Sequence, residues 1–375
     1  MKIMIIFGTR PEGIKLAPLI QGIKMTKGLE CVLLNTGQHR EMLDQVLALF
    51  SLQPEYDLKL MKPNQELDEM ISVMIVRIGK ILDVEKPDLV LVVGDTATTF
   101  AGAYAAFLKQ IPIGHVEAGL RTFQMYSPFP EEMHRKIVAR LSSYHFAPTE
   151  TNKSNLLAEG IAEEGIKVVG NTVIDALLDI TGRTFTFPPH LQAILDRGKR
   201  IVLVTTHRRE NFHKLKAIYM ALKQLLEDFD DIEIIFPVHP NPNVRKQVND
   251  YLLTDTKSDR IHIMDPLDYE CFSHLMKHSY LIITDSGGIQ EEAPALNIPV
   301  LVARESTERL EGVNAGTLKL TGTNEMEIVK AARNLLQDPR EYLKMAQVPN
   351  PYGDGTSSRQ IVDFLKKLQL NKGLF

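Results

Sequence analysis

Short apolar runs, bounded by glycine, proline or charged residues, alternate with stretches of helical periodicity along almost the whole chain. In the first half the pattern predicts strands near 2–7, 31–36, 88–93, 112–116, 143–147 and 166–169. In the second half it predicts strands near 201–206, 232–236, 261–264, 279–283, 299–302 and 317–320. Amphipathic segments such as Ala97 to Leu108 and Glu131 to Leu141 lie between them. Continuously apolar strands separated by helices mark parallel sheets covered on both faces. The stretch from Thr181 to Arg200 breaks the alternation with Pro188-Pro189 and reads as a linker between two doubly wound, Rossmann-like α/β domains. The expected first domain is 1–170 with a returning C-terminal helix at 356–372, and the expected second is 171–355.

Composition narrows the class. At 375 residues the chain is too long for one ordinary core. A net charge of −4 argues against a nucleic-acid partner. Cys31 and Cys271, far apart in predicted regular elements, read as buried free thiols of a reducing compartment. No apolar stretch approaches membrane-spanning length, so a cytoplasmic protein without a membrane partner is expected.

Two strand-to-helix turns carry candidate chemistry. Leu281 to Ile283 stops at Thr284-Asp285-Ser286-Gly287-Gly288, and a helical pattern with Glu291-Glu292 follows. Bare backbone N–H groups at such a helix start suit a phosphate, with Ser286, Gly287 and Gly288 lining it. Glu292 falls where an acid accepts from ribose hydroxyls; the plainer alternative is an ordinary strand–helix connection. At the other end, Gly8 to Lys15 (GTRPEGIK) imitates a P-loop but has Ile14 where the lysine belongs and Leu16 where the hydroxyl belongs. It also lacks a dinucleotide fingerprint, so no nicotinamide cofactor is expected. What remains is a helix start flanked by Arg10 and Lys15, suited to a pyrophosphate.

Ligands of doubly wound sheets bind beyond the carboxyl ends of the strands. Arg10, Gln38, His39, Asp95, Glu117, His207, His239 and Asp285 to Gly288 stand there and would converge on an interdomain cleft. Asp95 also reads as a helix N-cap, the commonest role for Asp at such a spot. Glu117 enters a loop and has less structural reason to be acidic. Of Glu131 and Glu132, one is expected merely to complement a helix dipole. Three such carboxylates suit proton abstraction from carbon or glycosidic acid–base work. A metal held by Asp95, His115 and Glu117 is disfavoured, since no metal-ligand spacing supports it. In the second half, His207-Arg208-Arg209 and Arg309 suit an anion, and prolines fix the loop of His239.

These motifs together resemble the non-hydrolysing UDP-N-acetylglucosamine 2-epimerase family. The resemblance rests on GTRPEGIK at 8–15, GQHREML at 37–43, GDT at 94–96, HVEAGLRT at 115–122 and SPFPEEMHR at 127–135. It continues through GNTVIDAL at 170–177, HRREN at 207–211, HPNPNV at 239–244, TDSGGIQEEAP at 284–294, TERLEGVNAGT at 307–317 and NPYGDG at 350–355. It implies a glycosyltransferase B-type arrangement, a homodimer, and interconversion of UDP-N-acetylglucosamine and UDP-N-acetylmannosamine through elimination of UDP and a 2-acetamidoglucal, in service of cell-surface polysaccharide. By resemblance Asp95, Glu117 and Glu131 are acid–base groups with His207 nearby. Arg10, Lys15, Ser286, Gly287, Gly288 and Arg309 hold the diphosphate, Glu292 the ribose, and Phe272 lies near the uracil. Activation by a second UDP-N-acetylglucosamine is implied too, with Gln38, His39, Arg208 and His239 as its site. Three positions depart from the family pattern: Gly13 for Ala, His213 for Gly and Leu310 for Pro. A B-type UDP-sugar glycosyltransferase, a UDP-sugar-binding regulator and a hydrolysing epimerase are the competing readings.

Overall fold

The computed structural model describes residues 1–38, 41–61, 66–208, 211–254 and 259–372. The chain divides into two compact units, Met1–Ala176 with the chain from Tyr352 onward, and Leu177–Pro351.

The first unit is built on seven parallel strands: β1 Lys2–Phe7, β2 Glu30–Asn35, β3 Tyr56–Asp57, β4 Leu89–Val93, β5 Ile113–Val116, β6 Tyr144–Ala147 and β7 Ile166–Val168. Their order is β3-β2-β1-β4-β5-β6-β7. β1 lies inside the sheet between β2 and β4, with Ile3 opposite both Cys31 and Leu89. Ile3 to Phe7 and Val90 to Val93 are wholly shielded from solvent, as strands covered on both faces require. The helix Leu67–Glu85 buries Met74, Ile78 and Leu82, one stripe at a spacing of four. β3 escapes sequence reading because it is two residues long and half exposed, with no apolar run. Cys31 is only partly buried, against the expectation of two buried thiols; Cys271 is buried. The returning helix Ser357–Lys372 sets Phe364 edge-on against Tyr144 and Phe146, at ring distances of 5.3 and 5.4 Å.

The second unit has six parallel strands: β8 Arg200–Thr205, β9 Ile232–Pro237, β10 Ile261–Met264, β11 Leu281–Thr284, β12 Val300–Val302 and β13 Leu318–Leu320. Their order is β10-β9-β8-β11-β12-β13. The stretch 181–200 is not a free linker. Its helix Pro189–Leu195 buries Leu191 and Ile194 in the second core together with Phe187. Phe185 stacks on His274 at 4.5 Å. Pro188-Pro189 misleads here because a proline in the first helical turn starts a helix instead of breaking one.

Each sheet reverses its winding between its first and fourth strands, β1/β4 in one and β8/β11 in the other. Chain directions diverge there and leave room for a ligand beyond the strand ends. Arg10 and Asp95 follow β1 and β4 at the first switch, and His207 and Asp285 to Gly288 follow β8 and β11 at the second.

Candidate active site

At the β1/β4 switch of the first unit the turn after β1 must pass very close to its neighbours. A Cβ on Gly8 would come within 1.9 Å of Thr36 Oγ1, so only glycine fits. Thr9 then caps the helix Arg10–Lys24 in a capping box with Glu12. Glu12, almost fully buried, goes further than a cap. Its Oε2 accepts from Gly8 N, Thr9 N and Thr9 Oγ1 at 2.9, 2.8 and 2.9 Å. Its Oε1 accepts from Thr96 and Thr99 hydroxyls at 2.5 and 3.1 Å. Burial raises its pKa against these donors. One side chain thus ties together the two turns of the switch, a role the sequence reading missed because a capping box accounts for Glu12 locally.

A cavity of about 370 Å³ opens beside this clamp, lined by Lys15, Gln38, Asp95, Glu117, Glu131 and His134 among others. Asp95 is not the helix cap: Thr96 caps Ala97–Leu108. The Asp95 carboxylate instead accepts from Arg135 Nε and Nη2 at 2.9 and 2.7 Å, and its backbone carbonyl from His134 Nδ1 at 2.9 Å. Glu117 follows β5 with φ of +61°, a left-handed conformation costly for a side-chain-bearing residue. Its carboxylate accepts from Lys15 Nζ at 2.6 and 2.5 Å and from Asn171 Nδ2 at 3.0 Å. Lys15, expected on a diphosphate, lies here among the carboxylates. Glu131 begins the helix Glu131–Leu141, and its Oε2 is buried with no hydrogen-bond partner among the described residues. Its neighbour Glu132 is the structural acid of the pair, accepting from Thr122 N, Phe123 N and Arg135 Nη1.

His115 ties β5 to the turn after β4. Its Nε2 donates to the Gly94 carbonyl at 2.7 Å, and burial lowers its pKa to about 3. Gln38 accepts from Thr98 Oγ1 at 2.9 Å. Arg10 opens its helix with a guanidinium 4.0 Å from Met42 Sδ. His39 lies outside the described residues.

At the β8/β11 switch of the second unit, fully buried Asp285 organises the loop after β8. Its carboxylate accepts from His207 N at 3.0 Å, Arg208 N at 3.0 Å and Asn211 Nδ2 at 3.2 Å. His207 Nδ1 is 3.4 Å from Asp285 Oδ1, and its ring stacks on His239 at 5.7 Å. Burial, aided by Arg208 and His239, lowers the His207 pKa against the pull of Asp285. The turn after β11 ends at Ser286, the N-cap of the short helix Gly287–Glu292. A Cβ on Gly287 would lie 3.2 Å from Arg208 Nη2 and 3.3 Å from Arg309 Cζ. Two guanidinium groups therefore close over the bare helix start, an anion cradle of the expected kind. Burial works against the Glu308 carboxylate, yet Arg309, Arg304 and Arg208 hold its pKa down to about 2. Gly288 lies beneath Glu292, whose Oε1 accepts from Tyr269 OH at 3.1 Å. Phe272 is partly buried against the second core. Leu310, the first residue of Leu310–Ala315, and His213, just before Leu215–Asp228, are both exposed. A Cβ on Gly13 would come within 2.7 Å of Leu43 Cδ1 and 3.4 Å of Val46 Cγ1.

A sequence model described as UDP-N-acetylglucosamine 2-epimerase matches residues 21–366. The chain belongs to the UDP-N-acetylglucosamine 2-epimerase family. It is 48% identical to the UDP-N-acetylglucosamine 2-epimerase of Escherichia coli O157:H7, over 99% of this chain and 100% of that one. Among solved structures it resembles the Neisseria meningitidis UDP-GlcNAc 2-epimerase bound to UDP-GlcNAc, with a TM-score of 0.88, 44% identity, and 98% and 100% of the two chains covered. It also resembles the Methanocaldococcus jannaschii UDP-GlcNAc 2-epimerase in complex with UDP-GlcNAc and UDP, with a TM-score of 0.78, 37% identity, and 98% and 100% covered. The two parallel-sheet units are those of the glycosyltransferase B-type fold of this family. Among the described residues no helix is long and apolar enough to cross a membrane.

Proposed function

We propose that this chain interconverts UDP-N-acetylglucosamine and UDP-N-acetylmannosamine by inverting C2. The observation that carries the reading is the meeting of Asp95, Glu117 and Glu131 around one cavity in a chain of this family. The C2–H bond of the sugar is unactivated, so simple deprotonation is too slow. Elimination removes the difficulty. A carboxylate takes the C2 proton, the electron pair forms the C1–C2 double bond, and the C1–O bond breaks to release UDP. Protonation of the 2-acetamidoglucal from the opposite face and return of the UDP oxygen to C1 complete the inversion.

Each side-chain environment fits a part in this. Glu131 offers a carboxylate oxygen with no hydrogen-bond partner among the described residues, free to exchange a proton. Asp95 and Glu117 are held in place by Arg135 and Lys15. Arg208, Arg309 and the N–H groups at Gly287 suit the charge that grows on the departing diphosphate. Activation by a second UDP-N-acetylglucosamine through Gln38, His39, Arg208 and His239 belongs to the same reading. The product would feed transferases that build cell-surface polysaccharide.

Incubation with UDP-N-acetylglucosamine alone in deuterated water, followed by proton NMR, tests the proposal. Deuterium at C2 of UDP-N-acetylmannosamine is expected. Hydrogen retained at C2 of the product would rule out elimination. Turnover only with an added acceptor would indicate a glycosyltransferase, and free N-acetylmannosamine a hydrolysing enzyme. A lag from UDP-N-acetylmannosamine alone, abolished by traces of UDP-N-acetylglucosamine, is the expected sign of the activating site.

A further inference from the structure

Asn171 is a buried amide that meets one of the three carboxylates and takes no part in the chemistry above. It follows β7 and Gly170, whose φ is +89°. Its backbone N–H donates to the Tyr352 carbonyl at 2.7 Å, where the chain re-enters the first unit. Its Oδ1 accepts from Val173 N at 3.2 Å, in the first turn of the helix Thr172–Gly182 that leads to the second unit. Its Nδ2 donates to Glu117 Oε1 at 3.0 Å.

These partners settle which way the amide faces. Turned over, it would set its oxygen against a carboxylate oxygen and its NH₂ against a backbone N–H, losing two hydrogen bonds and gaining two repulsions. Asn171 can therefore only donate to Glu117. A neutral donor on a carboxylate favours its ionised form and fixes the direction of its remaining lone pairs.

We infer that Asn171 is a positioning residue for Glu117, holding that carboxylate aimed into the cavity, and that its hold is tied to both points where the chain passes between units. The inference rests on the epimerase reading. Glu117 needs such support because its backbone is left-handed at a strand end, so the side chain alone does not fix the carboxylate. Lys15 from the helix Arg10–Lys24 supplies charge on a long stem, whereas the side-chain amide of Asn171 is also held by Val173 N and its backbone by the Tyr352 carbonyl. His115 of β5 also acts on this carboxylate, and burial keeps it neutral above about pH 3; Asp95, Glu131 and His134 line the same cavity.

The decisive variant is Asn171→Asp. It keeps the acceptor for Val173 N and the shape of the side chain, but sets a second carboxylate against Glu117. Two facing carboxylates resist joint ionisation, so the acidic limb of the kcat profile should move up by about one pH unit. The rate at neutral pH should fall about tenfold or more, with KM for UDP-N-acetylglucosamine within about twofold. Carbon-13 NMR of the glutamate carboxyls, with Glu117→Gln to assign the resonance, follows the same titration whether or not the enzyme turns over. If the unaltered protein exchanges no deuterium into C2, the epimerase reading fails, and the NMR titration still judges Asn171. If the Glu117 titration and the acidic limb stay where the unaltered protein has them, whatever the rate, the inference is overturned.

Discussion

Glu131 and Glu132 are adjacent acids with opposite surroundings, and the contrast yields a paired prediction. Glu131 buries an oxygen without a partner among the described residues, while Glu132 accepts from two backbone N–H groups and a guanidinium. An unpartnered buried carboxylate costs stability, so Glu131→Gln should leave the thermal midpoint unchanged or raised. The same change should lower kcat on the order of a hundredfold, as loss of an acid–base group does. Glu132→Gln should do the reverse to the fold: breaking a buried pair costs about 3 kcal/mol or more and frees the Thr122–Phe123 turn. Calorimetry beside the C2 exchange rate checks both, and equal losses of stability in the two variants would contradict the assignment. Asp95→Asn should also cost about a hundredfold in kcat, since its carboxylate is not spent on a helix cap.

At the scale of elements, the second-unit cradle depends on the bareness of one helix start. Gly287 lets Arg208 and Arg309 approach the backbone to within 3.2 and 3.3 Å of where a Cβ would stand. Gly287→Ala should displace both groups by a few tenths of an ångström without unfolding a helix that alanine favours. UDP affinity should then fall about tenfold, or roughly 1.4 kcal/mol, with thermal stability nearly constant. Titration calorimetry with UDP measures it; an unaltered affinity would detach these two arginines from the diphosphate. The turn containing Gly8 obeys the same logic but against protein, since Thr36 fills the space a side chain would need.

For the molecule as a whole, buried histidines set a response to acid. His115 is held at about 3 by burial, whereas in the unfolded chain it titrates near 6.5. Between those values the unfolded state binds a proton that the native state refuses. Stability from this group is thus fully present above about pH 6.5 and falls by about 1.4 kcal/mol per unit as the pH drops through that window. Buried His145 is shifted in the same direction, while Glu12 and Asp175, raised by burial, act in the opposite one. His115→Gln leaves those groups alone and keeps a donor for the Gly94 carbonyl. Urea unfolding between pH 6 and pH 4 should therefore show a shallower slope of stability against pH in the variant, by about 1.4 kcal/mol per unit. Identical slopes would mean that His115 is protonated in the native state.

Hydrophobic periodicity and turn chemistry are local, and they carried far. Each of the predicted strands forms; the inner ones, such as β1 from Ile3, β4, and β11 up to Ile283, are apolar throughout because they are buried on both faces, whereas the two-residue, half-exposed β3 gave no apolar run. The polar strand ends after β4, β5, β8 and β11 were also visible, since side chains beyond a buried run have little other reason to be acidic, basic or glycine. Pairing was not visible. Lys15 reaches Glu117 across 102 residues, Glu12 reaches Thr96 across 84, and Asp285 reaches the His207 backbone across 78. These contacts exist because the sheet orders set β1 beside β4 and β8 beside β11, strands distant in the chain. The packing of 181–200 was lost for a related reason: its apolar residues find partners only on a sheet formed by later sequence. Sequence fixes which side of an element faces inward; only the closing of the sheets decides what each buried charge meets there.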